Sequence, residues 1–486
     1  MDPSPSCECS ESGEGAESGL KGWGAHLTEN NMLTRRHFLG ASAASVAAAA
    51  THASFPGSSL AGPGAPDEGW PDPTKGENEA DLLERIFQNQ EVPPSIARLE
   101  SMASQARPIT VAERAGRVEK ARRLMREADI DALLLTGGTS LDYFSGMRWG
   151  LSERLFALVI PVRGAPFVVT PAFEEDRARE QIAMGPFDES TPVLTWDEDR
   201  DPYALVAGGL RGLGISIGRM AIEETVRFVF SDGVAKAAPG LELTSGTPIT
   251  FGCRGLKDAH ELELMRLASD VTLKAYEAAY LALDEGMTQN DFASLVSLAH
   301  SRLGFSGGAG VQTGEYSALP HGSITRQVVR EGTILLIDGG CAAAGYRSDI
   351  SRTFVLGRPT EKMKRVFDIE RRAQDAALAA AGPGVEAQAV DAAARKVIVD
   401  AGYGPGYTYF SHRVGHGMGM DGHEWPYLVK GNTMPLQPGH TFSDEPGIYI
   451  RGEFGVRLED DMVITEDGAE LFTPQSPSLE DPFGAD

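Results

Sequence analysis

Apolar side chains in the second half of the chain recur at the three- and four-residue spacing of amphipathic helices. Residues 258–285 carry such a stripe, and Thr288 followed by Asp291 resembles a capping box that begins a second helix. Two more helices are predicted over residues 361–381 and 385–401. Glycine-punctuated, strand-like stretches lie between and after these helices. The pattern therefore predicts an α+β region in which helices pack on an antiparallel sheet.

The first half shows shorter apolar runs of a different type. A helical pattern over residues 111–128 is followed by an apolar run at 131–137 that is typical of a short buried strand. Two further runs, 155–161 and 167–170, flank a turn sequence and predict a strand–turn–strand unit. Together with another short run at 220–222, they predict a small α/β domain.

The N-terminal residues differ from the rest in composition. Residues 1–31 are rich in Ser, Glu and Gly without apolar periodicity, which indicates disorder. Arg35 and Arg36 precede Phe38 and an alanine-rich run that is too short to span a bilayer comfortably. This pattern is typical of a twin-arginine export signal, so we expect a periplasmic or secreted protein. An alternative start at Met32 would make the first 31 residues an extension of the true sequence.

These observations predict five segments. Residues 1–53 form the disordered head with the signal, and residues 54–81, rich in Pro and Gly, form a linker. Two domains follow at 82–250 and 251–475, and residues 476–486 form a tail.

Composition narrows the classes of partner. The 486 residues carry a formal net charge of −25, which argues against nucleic acid or an anionic membrane surface as the partner. The four cysteines, at positions 7, 9, 253 and 341, show no Cys-x-x-Cys spacing. Neither a zinc ribbon nor a disulfide framework is therefore indicated.

Acidic residues and one histidine stand at positions that suggest a metal site. Asp338 stands at the end of a predicted strand over residues 334–337, and Asp349 precedes a returning strand-like run over 350–356. Two acidic residues in this arrangement are costly unless a cation holds the carboxylates. His416 lies in a glycine-rich stretch that lets the backbone approach closely. Glu445 stands at the entry to one predicted strand and Glu459 on another. Each residue taken singly also has an ordinary structural interpretation.

The order and spacing of these motifs resemble a known family. Residues 258–466 resemble the catalytic domain of the pita-bread metallopeptidases, which include Xaa-Pro aminopeptidases, prolidases and methionine aminopeptidases. Residues 111–245 resemble the N-terminal domain of the creatinase and proline-specific branch, with matching motifs at 142–146 and 152–154. The resemblance implies an α+β pita-bread catalytic domain preceded by a smaller, creatinase-type α/β domain.

The resemblance also implies the metal ligands, which are Asp338, Asp349, His416, Glu445 and Glu459. In the family pattern Asp349 and Glu459 bridge two divalent ions, Asp338 completes one site, and His416 with Glu445 completes the other. Four carboxylates and a neutral imidazole carry a charge that two divalent ions cancel. Oxygen-dominated ligation favours manganese, and cobalt, zinc or iron also suit the site.

Further residues match family positions around the substrate. His321 and His423 are expected to position substrate and transition state, and His412 to lie near the substrate's proline. Glu445 is expected to relay a proton to the leaving nitrogen. Arg457 is expected to order the site or to bind a substrate carboxylate. The implied reaction is attack of a metal-bridging hydroxide on an Xaa-Pro peptide bond.

The sequence leaves several alternatives open. The peptide substrate is either an Xaa-Pro dipeptide or a longer peptide cut by an Xaa-Pro aminopeptidase. Another reading is a non-peptide C–N hydrolase of the creatinase or ectoine-hydrolase type, and a third is a non-enzymatic binding module. The family branch implies a homodimer, in which residues 147–149 either reach a neighbouring site or form a surface turn.

Overall fold

The computed structural model describes residues 92–484 of the chain. The predicted head and export signal at 1–53 and the linker at 54–81 lie outside the described residues. The same holds for the first ten residues of the predicted N-terminal domain and the last two of the tail.

The first half of the described chain builds one six-stranded sheet with helices around it. The strand order is β4-β3-β2-β1-β5-β6, with antiparallel pairs between β1, β2 and β3 and parallel pairs elsewhere. Helix α1 (Pro94–Ala97) precedes this sheet and packs with the second half of the chain. The elements of the first half are α2 (Val111–Glu127), β1 (Ala132–Leu135), α3 (Thr139–Ser145), β2 (Ala157–Pro161), β3 (Phe167–Pro171), α4 (Glu175–Ala183), β4 (Val193–Trp196), α5 (Pro202–Gly212), β5 (Gly218–Ile222), α6 (Phe228–Ala237), β6 (Leu241–Ser245) and α7 (Thr247–Arg254). The predicted α/β domain is thus present.

Local sequence explains where these elements begin. Helix α2 starts at a capping box in which the Thr110 side chain accepts from the Glu113 N–H and the Glu113 carboxylate accepts from the Thr110 N–H. Strand β1 is buried at all four positions, because strands flank it on both edges and apolar clusters cover both faces.

The second half builds three antiparallel sheets with helices packed on them. The sheets are β10-β8-β7 with β9 on β8, β12-β11-β13-β16-β17, and the hairpin β14-β15. The elements are α8 (Ala259–Tyr280), α9 (Gln289–Arg302), β7 (Gly307–Thr313), β8 (Ile334–Ala343), β9 (Tyr346–Arg347), β10 (Ile350–Val355), α10 (Glu361–Ala380), α11 (Ala387–Asp400), β11 (Gly415–Gly417), β12 (Glu424–Leu428), β13 (Thr441–Asp444), β14 (Gly447–Ile450), β15 (Phe454–Arg457), β16 (Asp460–Ile464) and β17 (Ala469–Leu471).

The four long helices agree with the predicted ones to within a few residues, except that α8 ends at Tyr280. Thr288 and Asp291 do form the expected capping box at α9. Two strand predictions were wrong. Asp338 lies in the middle of β8 rather than at its end, and Glu459 lies in the two-residue connection between β15 and β16.

Contacts between the two regions tie them together. Arg117 on α2 donates to Glu261 on α8 at 3.1 Å and to the Tyr346 hydroxyl at 2.7 Å. Arg254 on α7 pairs with the carboxylates of Asp421 and Glu424. Helix α7 runs through residue 250, where the boundary between the two domains was predicted, and the predicted boundaries stay predictions.

The described residues also include two cysteines and the helices that could be tested for membrane crossing. Cys253 and Cys341 are buried, free thiols, and the other two cysteines lie outside the described residues. Within residues 92–484, no helix combines the length and the apolar content that a membrane crossing requires.

Candidate active site

Two aspartates enter the site from the β7-β8-β10 sheet, one on β8 and one immediately before β10. Asp338 faces Ser351 across the antiparallel register of β8 and β10. Asp349 stands immediately before β10, where its backbone N–H donates to Asp461 at 3.1 Å. Because residues 349 and 351 lie two apart in extended chain, both side chains point to the same face of the sheet.

His416 is held by a close-packed backbone. Added Cβ atoms would lie 2.0 Å from the Ser443 carbonyl oxygen at Gly415 and 2.6 Å from the Trp425 carbonyl oxygen at Gly417. The expected close approach around His416 is therefore confirmed. The His416 Nδ1 donates to the Gly417 carbonyl at 3.1 Å, which turns Nε2 into the cavity.

Glu445 and Glu459 arrive from short connections between strands. Glu445 links β13 to β14, and its Oε1 lies 3.2 Å from His416 Nε2. Glu459 links β15 to β16, and its Oε2 accepts from the Ser351 hydroxyl at 2.6 Å. The same hydroxyl lies 3.0 Å from Asp338 Oδ1.

The five side chains predicted as ligands line one cavity of about 330 Å³. Two triplets each place one donor atom per residue within 4.8 Å of the others, and Glu459 belongs to both. The triplets are Asp338 with Asp349 and Glu459, and His416 with Glu445 and Glu459. His416 Nε2 also lies 3.8 Å from Asp349 Oδ2. This oxygen-rich donor set fits two divalent cations that share ligands.

Electrostatics show why a cation suits the cavity. Burial and the neighbouring Asp338 charge raise the pKa of Asp349 to about 7. Burial and the Asp349 charge also raise the pKa of Glu459 well above its ordinary value. Carboxylates crowded in this way hold protons unless positive charge replaces them.

Glu445 and His416 are shifted towards their charged forms, in contrast to Asp349 and Glu459. Burial opposes ionisation of Glu445, but the hydrogen bond from His416 together with the charges of His416, His412 and Arg457 outweighs burial and lowers the pKa of Glu445 to about 2. Burial lowers the pKa of His416, and the Glu445 contact outweighs that effect and raises it. Glu445 therefore stays ionised more readily than Asp349 and Glu459.

Arg457 is engaged within the protein. Its Nη2 pairs with Asp338 Oδ2 at 2.6 Å, and its Nε donates to the Ser351 hydroxyl at 2.9 Å. Its Nη1 reaches the Pro320 carbonyl and the Tyr449 hydroxyl, both at 3.1 Å. These contacts favour the ordering role over the binding of a substrate carboxylate.

The remaining predicted histidines surround the same cavity. His412 Nε2 lies 2.7 Å from the Tyr449 hydroxyl, and its Nδ1 lies 4.0 Å from Glu445 Oε2. The His423 ring stacks on His416 with centroids 3.7 Å apart. A nitrogen of His423 also lies within 4.8 Å of donors from Asp349 and His416. His321 is exposed and lines the cavity in a turn before β8.

The sequence did not reveal three other side chains of the site, which are Ser351, Tyr449 and Arg413. The position of Ser351 two residues after Asp349 was the available signal, because alternate residues of a strand share a face. The residues of segment 147–149 differ in their surroundings. Met147 is buried, whereas the Trp149 ring stacks on Phe156 with centroids 4.0 Å apart.

Four carboxylates and the His416 imidazole around one cavity are a donor set typical of dinuclear metal-dependent hydrolases. Residues 263–466 match the model of metallopeptidase family M24, and residues 117–255 match the creatinase/prolidase N-terminal domain. The chain belongs to metallopeptidase family M24. Membership in this family implies divalent metal ions. The family, the pita-bread fold and the metallopeptidase class expected from the sequence are confirmed.

Individual relatives agree with this assignment. The probable dipeptidase PepE of Mycobacterium tuberculosis is 36% identical over 349 residues, covering 71% of this chain and 90% of that protein. The Xaa-Pro dipeptidase of Lactobacillus delbrueckii subsp. lactis is 32% identical, covering 74% and 98%. The crystal structure of dipeptidase PepE from Mycobacterium ulcerans superimposes with a TM-score of 0.72 at 33% identity, covering 77% and 99%.

Proposed function

We propose that this chain is a dinuclear-metal peptidase that hydrolyses the Xaa-Pro bond, with Xaa-Pro dipeptides as its main substrates. The observation that carries the proposal is the convergence of five donor side chains in two triplets that share Glu459. The relatives named as dipeptidases favour the dipeptide over a longer peptide.

In the proposed mechanism, the metals and the protein side chains make different contributions to catalysis. The five donors would hold two divalent ions, which would supply a hydroxide nucleophile near neutral pH and polarise the scissile carbonyl. His321 and His423, on the cavity wall, donate hydrogen bonds to the carbonyl oxygen as negative charge develops on it. Arg457 keeps Asp338 in place through their 2.6 Å ion pair.

The leaving proline nitrogen needs a proton when the bond breaks. Glu445 Oε2 lies on the His412 side of the cavity, 4.0 Å from His412 Nδ1, and we assign this oxygen to take the nucleophile's proton and pass it on. His412, 4.0 Å from that Oε2 and held by Tyr449, marks the side of the cavity where we place the proline ring. The proton thus moves from water to Glu445 Oε2 and then to the leaving nitrogen.

The test uses the full chain, stripped with chelator and reloaded with manganese. Gly-Pro and a longer Gly-Pro peptide are offered side by side, and cleavage confined to the dipeptide supports the proposal. Asp349→Ala should abolish cleavage. The matched control is Asp400→Ala, which removes an exposed carboxylate paired with Lys396 on α11 and should leave activity unchanged. Cleavage of the longer peptide would make the enzyme an aminopeptidase, and cleavage of neither would refute the proline assignment.

Three further properties belong to the proposal. Manganese is the metal that we propose, supported by the oxygen-rich donor set, and metal analysis of the protein isolated from cells tests it. We propose export by the twin-arginine route on the basis of Arg35 and Arg36. The double variant Arg35→Lys, Arg36→Lys should therefore be retained in the cytoplasm. We propose a homodimer by analogy with the family branch, and sedimentation equilibrium measures the mass in solution.

A further inference from the structure

Arg413 is a cationic side chain of the cavity to which the catalytic steps above give no task. It follows His412 directly and lines the cavity together with the donor residues. Its guanidinium carbon lies 4.0 Å above the centre of the Tyr427 ring, and this contact fixes the direction of the guanidinium group.

The contact between Arg413 and His423 determines which nitrogen of the His423 ring carries the proton. Arg413 Nη2 lies 3.3 Å from His423 Nδ1. A guanidinium group only donates hydrogen bonds, so this ring nitrogen must present its lone pair. A neutral imidazole that accepts at Nδ1 carries its proton at Nε2.

The ring of His423 has little freedom to turn. It stacks on the His416 ring at 3.7 Å between centroids, with 14° between the planes. With Nδ1 engaged by Arg413, Nε2 is the nitrogen left for the cavity. One nitrogen of this ring lies within 4.8 Å of donors from Asp349 and His416, so its proton decides between two behaviours. With a proton Nε2 donates a hydrogen bond, and without one it would ligate a metal.

We propose that Arg413 is a positioning residue that holds His423 in the tautomer with its proton on Nε2. His423 is thereby kept as a hydrogen-bond donor to the substrate and prevented from becoming a sixth ligand. This inference rests on the proposed function for the identity of the substrate, but the tautomer itself is independent of it.

The first experiment measures the tautomer without substrate. Protein carrying ¹⁵N-labelled histidine rings is loaded with diamagnetic zinc and studied by NMR at pH 8, with His423→Gln to assign the signal. We expect the His423 proton on Nε2 in the wild type and a mixture of both tautomers in Arg413→Met. A proton on Nδ1 in the wild type, or an unchanged tautomer in the variant, would overturn the proposal.

The second experiment measures turnover of Xaa-Pro dipeptides. Arg413→Met should lower kcat by about 10- to 100-fold, the range typical of removing a hydrogen-bond partner that orients a histidine of a metal site. KM should stay unchanged, because the lost hydrogen bond acts on the transition state. Arg413→Lys, which keeps one donor, should recover part of the loss. In the His423→Gln background Arg413→Met should have no further effect, whereas independent, multiplying losses would contradict the proposal.

A control variant and the NMR measurement distinguish failure of this inference from failure of the proposed function. Arg266→Met removes another arginine that lies over a ring, 4.7 Å from the centre of Phe472, and should leave kcat unchanged. If the wild type cleaves no Xaa-Pro substrate, the proposed function fails. The NMR result still decides the role of Arg413 in that case.

Discussion

Asp349 should destabilise the protein when no cation neutralises the cavity. Its pKa rises from 3.8 to about 7 on folding, because it is buried beside Asp338. Between these two values the unfolded chain releases the proton and the folded chain keeps it, so stability falls as pH rises. At about 1.36 kcal/mol per pKa unit, the full cost is about 4 kcal/mol above pH 7 and about 2 kcal/mol at pH 5.

The neutral variant Asp349→Asn removes this cost. In chelator-treated protein, we expect the variant to exceed the wild type in free energy of unfolding by about 2 kcal/mol at pH 5 and about 4 kcal/mol at pH 8. Urea denaturation followed by circular dichroism at both pH values measures the difference. Added manganese should reverse the order at pH 8, because only the wild type keeps all five donors. An advantage that stays constant or shrinks as pH rises would refute the reasoning.

Three more outcomes follow from side chains near the site. Ser351→Ala removes the hydroxyl between Asp338 and Glu459 and should weaken metal binding about 10- to 100-fold in chelator competition. Burial raises the pKa of Glu370 well above its ordinary value, so Glu370→Gln should raise the thermal midpoint at pH 8 and have a smaller effect at pH 4. Arg352→Met leaves the fully buried carboxylate of Asp460 without its cationic partner and should cost about 3–5 kcal/mol in denaturant titrations, and a loss below 1 kcal/mol would contradict this.

The helices were predictable because their signals are local. Helix α9 begins where Thr288 and Asp291 cap it, and both residues lie within one turn of the start. The path of β8 was not predictable, because Gly339 and Gly340 after Asp338 look like a turn. The strand continues through them because the Gly308 backbone packs against Gly339, where an added Cβ would lie 2.5 Å from a carbonyl oxygen.

The ligand set was predictable from ordered motifs, whereas its supporting contacts were not. Ser351 and Tyr449 are single hydroxyl residues on strands, and their partners appear only once the strands are in register. Glu370 resembles any solvent-facing charge in the sequence of α10. Its burial depends on how that helix packs against the sheets, which residue spacing does not report.

The donor side chains of the cavity come from widely separated parts of the chain. Asp338 belongs to one sheet, His416 to a second, and Glu459 to the connection between the β14-β15 hairpin and β16. The shared donor of both triplets therefore leaves the ribosome after almost all of the catalytic region. Contacts over such sequence separations form slowly, because long loops must close first. A complete donor set thus exists only in the folded catalytic region, so we expect metal affinity and folding stability to be coupled.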